Sequence, residues 1–335
     1  PWLLGLQIQL AFREGHNDEV QTLLEELLEM SRGWSDPWMR SRVHLIRAQF
    51  FVLSAGDLEA ALRETEAVVE LQPDDPLGYL SRARLRALLG DAEGAEADCD
   101  YAAGMELDEP DKLLNRAQLL GTLCDRKRRA IDDLTRAIEL APRWAAPYLH
   151  RGVQYAYQGS FDNALENWNR CAELADQWTD CYRNRAIAHT RLGQYEAALR
   201  DCDKRAELTP EEAETYNIRG GILLGLGRVE EALASHDEAI ERAPSTTLYH
   251  VGRAGPLARM GQCDSVEEEL EKAVELAPTL SGIEGSVALL HASMLFHDCP
   301  RLCDLETATE LARKALQLSP NSEVAHQALG VALYR

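Results

Sequence analysis

Apolar residues recur at helical spacing in pairs of short segments along this chain. In the stretch 179–192 the stripe consists of Tyr182, Ala186 and His189. In the next stretch, 195–208, it consists of Tyr195, Ala198, Leu199, Cys202, Ala206 and Leu208. Steps of three or four residues place side chains on one face of an α-helix. The pattern therefore predicts two amphipathic helices, joined at Gly193 and ended by Pro210.

The same pattern returns with a period of 34 residues. Turn glycines carry this spacing at Gly56 and Gly90, and again at Gly159, Gly193, Gly227 and Gly261. An alanine follows most of them after five residues, at Ala61, Ala95, Ala164, Ala198 and Ala232. Prolines close the units at Pro73, Pro142, Pro210, Pro244, Pro278 and Pro320. Three kinds of residue with one period indicate tandem helical hairpins, in which glycine ends the first helix.

A 34-residue hairpin with a fixed aromatic residue, turn glycine, small alanine and closing proline resembles the tetratricopeptide repeat. The match is closest over 145–278, where one unit carries Tyr182, Gly193, Ala198 and Pro210. The resemblance implies an all-α fold, a right-handed superhelix (TPR solenoid) of about nine helical hairpins plus a lone C-terminal helix.

We expect one solenoid domain over residues 1–335, because a single hairpin cannot bury its apolar face without its neighbours. Units are predicted to begin near residues 1, 42, 76, 111, 145, 179, 213, 247 and 281, with a partial repeat at 323–335.

Three segments depart from the repeat. The unit at 111 has CDRKRR (124–129) where a turn glycine is expected. The segment RGWSDPWMRS (32–41) is interpreted as an insertion between the first two units. The segment HDCPRLCDLE (297–306) is predicted to form a longer loop. Departures from regular stacking are expected at these places.

The formal net charge is −21, which argues against a nucleic-acid or anionic-membrane partner, because such surfaces are rich in Lys and Arg. The longest apolar stretch, residues 286–296, is far shorter than the roughly 20 residues of a membrane span. The eight cysteines are scattered through apolar helical patterns, so we expect reduced thiols and a cytoplasmic location.

No catalytic motif is present in the sequence, and we expect neither an enzyme nor a cofactor. Cys299 and Cys303 lie near His291 and His297, but their C-x3-C spacing differs from the C-x2-C of zinc sites and no second pair follows. We therefore predict no metal site.

The resemblance also implies which residues line the concave wall: the second, fifth, ninth, twelfth and thirteenth of each unit. Charged residues at these positions are Arg13, Arg84, Lys112, Arg183, Arg191 and Arg259, against Asp180 and Glu214. The candidate binding residues are Arg84, Lys112, Asn115, Tyr157, Arg183, Ile187, Arg191, Asn217 and Arg259. The excess of cations predicts a groove that prefers an acidic or carboxylate-bearing segment. The alternative is an ordinary solvated helix face.

Two other patterns bear on the chemistry of a ligand. The family's clamp for a C-terminal carboxylate needs Lys and Asn in consecutive units, and Asn115 and Asn217 stand alone, so that clamp is not predicted. A second set of arginines recurs at the seventh position of its units, at Arg82, Arg151, Arg185, Arg219 and Arg253. Acidic residues in the second helices favour internal ion pairs for this set over phosphate binding.

The sequence therefore favours a non-enzymatic scaffold that binds a protein or peptide. The closing stretch 307–335 is similar to the repeat arrays that follow the catalytic domain in large bacterial Ser/Thr protein kinases, and caspase-like proteases and transcription regulators carry similar arrays. Regulation of a larger enzyme is thus the alternative, and the first residue and the unfinished last unit lead us to expect a segment of a longer polypeptide. Self-association through the uncapped last helix is a third possibility.

Overall fold

The computed structural model describes residues 16–276 without interruption and, outside that range, only isolated positions between 4 and 14 and between 309 and 326. The described residues form fifteen α-helices, which confirms the predicted all-α fold. They are α1 (Asn17–Ser31), α2 (Pro37–Phe50), α3 (Leu58–Leu71), α4 (Pro76–Leu88), α5 (Ala92–Gly104), α6 (Pro110–Leu123), α7 (Lys127–Leu140), α8 (Ala145–Tyr157), α9 (Phe161–Leu174), α10 (Thr179–Arg191), α11 (Tyr195–Leu208), α12 (Ala213–Gly225), α13 (Val229–Arg242), α14 (Thr247–Arg259) and α15 (Cys263–Leu276).

The chain divides into two compact units, residues 1–160 and 161–335. In the first unit the helices pair as hairpins α2/α3, α4/α5 and α6/α7, and α4 also packs on α6. In the second unit the hairpins are α10/α11, α12/α13 and α14/α15, and the first helices again touch one another. The assignment of residues 1–335 to a single solenoid stays a prediction, and the predicted loop 297–306 and partial repeat 323–335 lie outside the described residues, apart from His326.

The turns between paired helices follow the predicted glycines. Each described glycine of this set adopts a left-handed conformation, with φ between 62° and 85°, at Gly56, Gly90, Gly159, Gly193, Gly227 and Gly261. The unit that lacks a turn glycine makes the same bend with Asp125, whose φ is 49°. Next to it, the Arg126 guanidinium pairs with Glu96 and Asp100. Aspartate is one of the few non-glycine residues that adopt this region readily.

The segment 32–41 is not simply an insertion, because helix α2 already begins at Pro37. The Asp36 carboxylate accepts a hydrogen bond from the backbone N–H of Trp38 at 2.9 Å, which caps the helix. At its other end α2 runs directly into a π-helical turn, Phe51–Ala55, that ends at Gly56. The first helix of this hairpin, α2, is therefore longer than the sequence pattern predicts.

Alanines of the second helices are fully buried against the first helices. Ala198 and Ala232 have no exposed surface and pack in one cluster with Ile222 and Leu223. A larger side chain at either position would push the paired backbones apart. The small residue five positions after the turn is therefore a packing requirement.

Four of the five seventh-position arginines form the predicted internal ion pairs, and the fifth, Arg151, makes an internal hydrogen bond. Arg82 Nη2 lies 2.7 Å from Asp98 Oδ1, and Arg185 pairs with Asp201 within the same hairpin. Other members reach back to the previous second helix. Arg219 pairs with Asp203 at 3.2 Å, Arg253 pairs with both Asp237 and Glu269, and Arg151 donates to the Thr135 hydroxyl. In all six of these interactions the partner lies 16 residues from the arginine.

Arg116 belongs to the same set, although the sequence pattern does not single it out. Its side chain has no exposed surface, and two of its nitrogens lie 2.7 Å from the Asp133 carboxylate oxygens. Its Nη1 donates to the carbonyl oxygens of Ala102 and Met105, at 3.1 and 2.5 Å, where α5 ends. All the charge of this buried pair is therefore matched by hydrogen bonds.

His236 is a second buried polar group, set between two glycines. A Cβ added to Gly220 would lie 2.6 Å from its imidazole, and one added to Gly252 would lie 2.8 Å from it. Its Nδ1 is 3.1 Å from Asn217 Oδ1. Burial lowers the pKa of His236 to about 4, although the nearby Asp237 carboxylate acts in the opposite direction. The imidazole is therefore neutral in the folded protein at neutral pH.

The expectation of reduced thiols is wrong for most described cysteines. Disulfides join Cys99 to Cys124 and Cys171 to Cys181, with Cα–Cα distances of 6.0 and 6.1 Å, and Cys263 is also disulfide-bonded. Cys202 is free and buried, and burial raises the pKa of its thiol to about 12. Helix pairing brings together cysteines that are far apart in sequence, which spacing alone does not reveal. The thiol argument for a cytoplasmic location is thereby removed.

Replacing Arg116 with Ala is expected to lower the free energy of unfolding by about 3 kcal/mol, because the buried Asp133 carboxylate would lose both short hydrogen bonds and keep only the ion pair with Arg129, whose Nε lies 3.4 Å away. Arg136 of α7 is the control, since its pair with Glu139 is exposed and its loss should cost less than about 0.5 kcal/mol. Urea unfolding followed by circular dichroism measures both. Equal losses for the two variants would contradict the importance of the buried pair.

Stability is expected to fall between pH 6.5 and pH 4 because of His236. Its pKa is about 4 in the folded protein against an ordinary value of 6.5, so the unfolded chain takes up the proton first as the pH falls. The loss is at most roughly 3 kcal/mol, and it is complete near pH 4. Unfolding of wild type and His236→Gln across this range isolates the effect, since other groups titrate in both. Parallel pH profiles would argue against a buried neutral imidazole.

Candidate functional site

The first helices of the first unit line a groove. A hollow of about 410 Å³ is lined by residues of α2 and the following turn, of α4, by Leu119 of α6 and, at its base, by Thr65 of α3. A smaller one of about 140 Å³ is lined by the earlier residues of the same three first helices, and also by Val68 of α3 and by Gln72 and Asp75 between α3 and α4. Both share Arg42, Leu45 and Leu77, so they are continuous. We call this surface, from Trp38 to Leu53 on its α2 side, the α2–α4–α6 groove.

Three predicted binding residues meet in this groove. Arg84 lines the larger hollow, and Lys112 and Asn115 line the smaller one. Tyr157, the fourth predicted residue of the first unit, is exposed at the end of α8 and lines neither hollow. Three of the predicted residues thus lie on the parts of α4 and α6 that line the hollows, and their role in binding stays a prediction.

The cations of the groove differ in how they are neutralised. Lys112 Nζ lies 2.5 Å from Glu109 Oε1, and this hydrogen bond raises the pKa of Lys112. Arg84 and Arg42 make no ion pair with any residue that the structure describes, and the Arg42 guanidinium lies 5.8 Å from the Trp38 ring centroid. Neither guanidinium group therefore forms an ion pair within the described chain, although Asp75 and Asp111 line the smaller hollow together with Arg42.

Exposed apolar side chains accompany these arginines. Trp38, Ile46 and Leu53 are 52%, 43% and 61% exposed, and all three line the groove. A contiguous apolar surface beside unpaired charge is typical of a binding surface. Sequence reasoning missed Trp38 because it assigned residues 32–41 to an insertion. It missed Arg42 because a unit counted from residue 42 gives this arginine the first position, which is not one of the inward positions. The available signal was Asp36-Pro37, a helix cap followed by proline at the first helical position.

In the second unit the predicted cation Arg183 is already paired. Its Nη2 lies 2.7 Å from Glu214 Oε1, and Arg205 Nη2 lies 3.0 Å from the other carboxylate oxygen. Burial raises the pKa of Glu214, but the hydrogen bonds and charges of Arg183 and Arg205 outweigh it and hold that pKa below its usual range. Arg183 thus resembles the internal arginines more than the groove arginines.

The other predicted residues of the second unit line neither of the two hollows described above. Asn217 binds His236, so its amide serves internal packing. Ile187 is half-buried in α10, and Arg191 and Arg259 are exposed at the last residues of α10 and α14. Arg13, Cys299, Cys303, His291 and His297 lie outside the described residues.

Within the described part of the chain, no group of three His, Cys, Asp or Glu side chains is arranged to hold a metal ion. Over the same residues, the helices are too short or too polar to cross a lipid bilayer.

Residues 213–246 match the sequence model of the tetratricopeptide repeat. No curated protein is significantly similar in sequence to this chain. Several solved structures share its fold at low sequence identity. A tetratricopeptide repeat protein from Parabacteroides merdae is 18% identical with a TM-score of 0.57, over 88% of this chain and 98% of that chain.

Two further structures agree. The Cut9–Hcn1 hetero-tetramer of the APC/C is 14% identical with a TM-score of 0.53, over 95% of this chain and 60% of that chain. A thermophilic repeat protein from Thermus thermophilus is 24% identical with a TM-score of 0.50, over 57% of this chain and 100% of that chain. At these identities the similarity concerns the fold alone. The chain thus has the fold of tetratricopeptide repeat proteins and carries one such repeat, residues 213–246, that is recognisable from sequence.

Proposed function

We propose that the chain is a non-enzymatic interaction module that binds an acidic or carboxylate-bearing segment of a partner protein in the α2–α4–α6 groove. Repeat proteins of this fold typically bind proteins or peptides through the surface formed by successive repeats. The proposal rests on Arg42 and Arg84, which form no ion pair with a described residue and lie beside exposed apolar side chains.

The contrast with other arginines supports this assignment. Arg82, two residues before Arg84, is paired with Asp98 at 2.7 Å. Both arginines lie on α4, but only the one that faces the groove lacks an acidic partner among the described residues. A guanidinium binds a carboxylate with two parallel hydrogen bonds, so Arg42 and Arg84 offer specific acceptor sites.

The net charge of −21 does not oppose an acidic partner strongly. At physiological ionic strength charges farther apart than about 8 Å are largely screened. A carboxylate in direct contact with Arg42 or Arg84 interacts at about 3–4 Å, where screening by salt is small. Distant acidic residues therefore slow the encounter more than they weaken the complex.

Other predicted roles gain no support from the described residues. Regulation of a larger bacterial enzyme and self-association were suggested by residues 307–335, of which only isolated positions are described. A cytoplasmic location stays a prediction that now lacks the argument from reduced thiols.

The binding preference can be tested with two peptides of equal length, one rich in Glu and one in which Lys replaces each Glu. We expect the Glu peptide to bind more tightly, and the double variant Arg42→Glu/Arg84→Glu to weaken it by about tenfold or more. Fluorescence anisotropy of the labelled peptides measures both affinities.

Arg63→Glu is the matched control, because Arg63 is an exposed arginine of α3 and does not line the groove. It should change the affinity by less than about twofold. Equal binding of the Glu and Lys peptides, or equal effects of the groove and control substitutions, would refute the proposed function.

A further inference from the structure

The α2–α4–α6 groove runs along its helices. Its smaller hollow is lined by the early residues of all three helices, such as Trp38 of α2, Leu77 of α4 and Lys112 of α6. Its larger hollow is lined by their later residues, such as Leu53 beyond α2 and Leu119 of α6. The long axis of the groove therefore follows the direction of the first helices.

The length of the groove fits a helical ligand. Trp38 and Leu53 are 15 residues apart, which at 1.5 Å per residue corresponds to about 22 Å, or roughly four helical turns. A partner helix of about 15 residues would lie along this distance. An extended chain would cover it with only about seven residues and would need to run parallel to the helices.

The spacing of the exposed apolar residues also favours a helix. Trp38, Ile46 and Leu53 are separated by 8 and 7 residues, close to two helical turns each. A partner helix packed along α2 presents its own apolar residues at the same interval, so each exposed apolar residue of α2 can contact one of them. An extended peptide places successive side chains on opposite faces. The spacing of side chains along one of its faces therefore matches the interval of about 10–12 Å between the exposed residues of α2 less well.

The charges specify the polar residues of such a helix. Arg42 lies one turn from both Trp38 and Ile46 on α2, and Arg84 lines the larger hollow from α4. Both lack a carboxylate partner among the described residues. Acidic residues next to the apolar stripe of a partner helix would reach them while the stripe covers Ile46 and Leu77.

We propose that the α2–α4–α6 groove receives an amphipathic α-helix of a partner protein, with apolar residues at about seven-residue intervals and flanking carboxylates that bind Arg42 and Arg84. This inference rests on the proposed function and narrows it to a helical, acidic ligand. A helix-in-groove complex buries the apolar face of the ligand, which is what stabilises its helix.

The test uses three labelled synthetic peptides of about 18 residues. The first has Leu at heptad positions and Glu beside them, the second has the same composition in an order without helical periodicity, and the third has Lys in place of Glu. We expect the first to bind at least about tenfold more tightly than either of the others, by fluorescence anisotropy. Circular dichroism should show that it gains helix on binding.

Two substitutions on α2 separate the groove from the rest of the surface. Ile46→Asp is expected to weaken binding of the first peptide about tenfold, because it places a charge in the apolar contact and repels the carboxylates. Met39→Asp is the control, since Met39 is similarly exposed on α2 but lines neither hollow. It should leave the affinity within about twofold.

The outcomes distinguish this inference from the proposed function. Equal binding of the first two peptides, still weakened by Arg84→Glu, would overturn the helical ligand and leave an acidic partner in place. Absence of binding by any acidic peptide up to about 1 mM would overturn both. Sedimentation velocity that showed a dimer dissociated by Ile46→Asp would mean that a second copy of this chain occupies the groove, and it would overturn the proposed partner helix.

Discussion

Ion pairs between arginines of the first helices and acidic residues of the second helices hold the hairpins of this protein together. Each arginine reaches a second helix 16 or 17 residues away, either in its own hairpin, as Arg82 does with Asp98, or in the preceding one, as Arg219 does with Asp203. Arg253 does both. Because several of these side chains are largely buried, each pair must be complete: a lone charge in such a position costs several kcal/mol. Apolar packing around the buried alanines then depends on helices whose positions these pairs fix.

The same residue type also occurs in the candidate groove, where its surroundings differ. An arginine that faces a second helix has its charge neutralised internally, whereas Arg42 and Arg84 face a groove and have no acidic partner within the described chain. Arg183 differs from both groups. Its partner, Glu214, belongs to the first helix of the following hairpin and not to a second helix. Arginine therefore occurs in two environments in these repeats, and the direction in which the side chain points decides whether it meets an acidic residue of the chain.

Much of the fold followed from the sequence because its signals are local. The turn glycines, the buried alanines such as Ala198 and the arginine pairs all recur at 34-residue intervals, so a pattern in the sequence translates directly into a pattern in space. Features that occur in only one unit were harder to predict from the sequence. The left-handed Asp125 and the π-helical turn 51–55 arise from tertiary packing, and the disulfide between Cys99 and Cys124 joins residues that nothing in their spacing connects. The same limit applies to the candidate site. The positions of Arg84 and Lys112 within their units predicted that they face the groove, whereas Trp38 was missed because the start of α2 was not predicted. The ion pair of Arg183 could not be predicted, because it depends on a residue of the neighbouring unit, Glu214.

Hydrogen–deuterium exchange with and without the acidic amphipathic peptide tests the central claim most directly, because it locates the contact without any substitution. If the groove between first helices is the binding surface, bound peptide should slow exchange within residues 38–53, 77–85 and 111–119 and leave α5 and α7 unchanged. Protection confined to those second helices, or spread evenly over the first unit, would contradict the account.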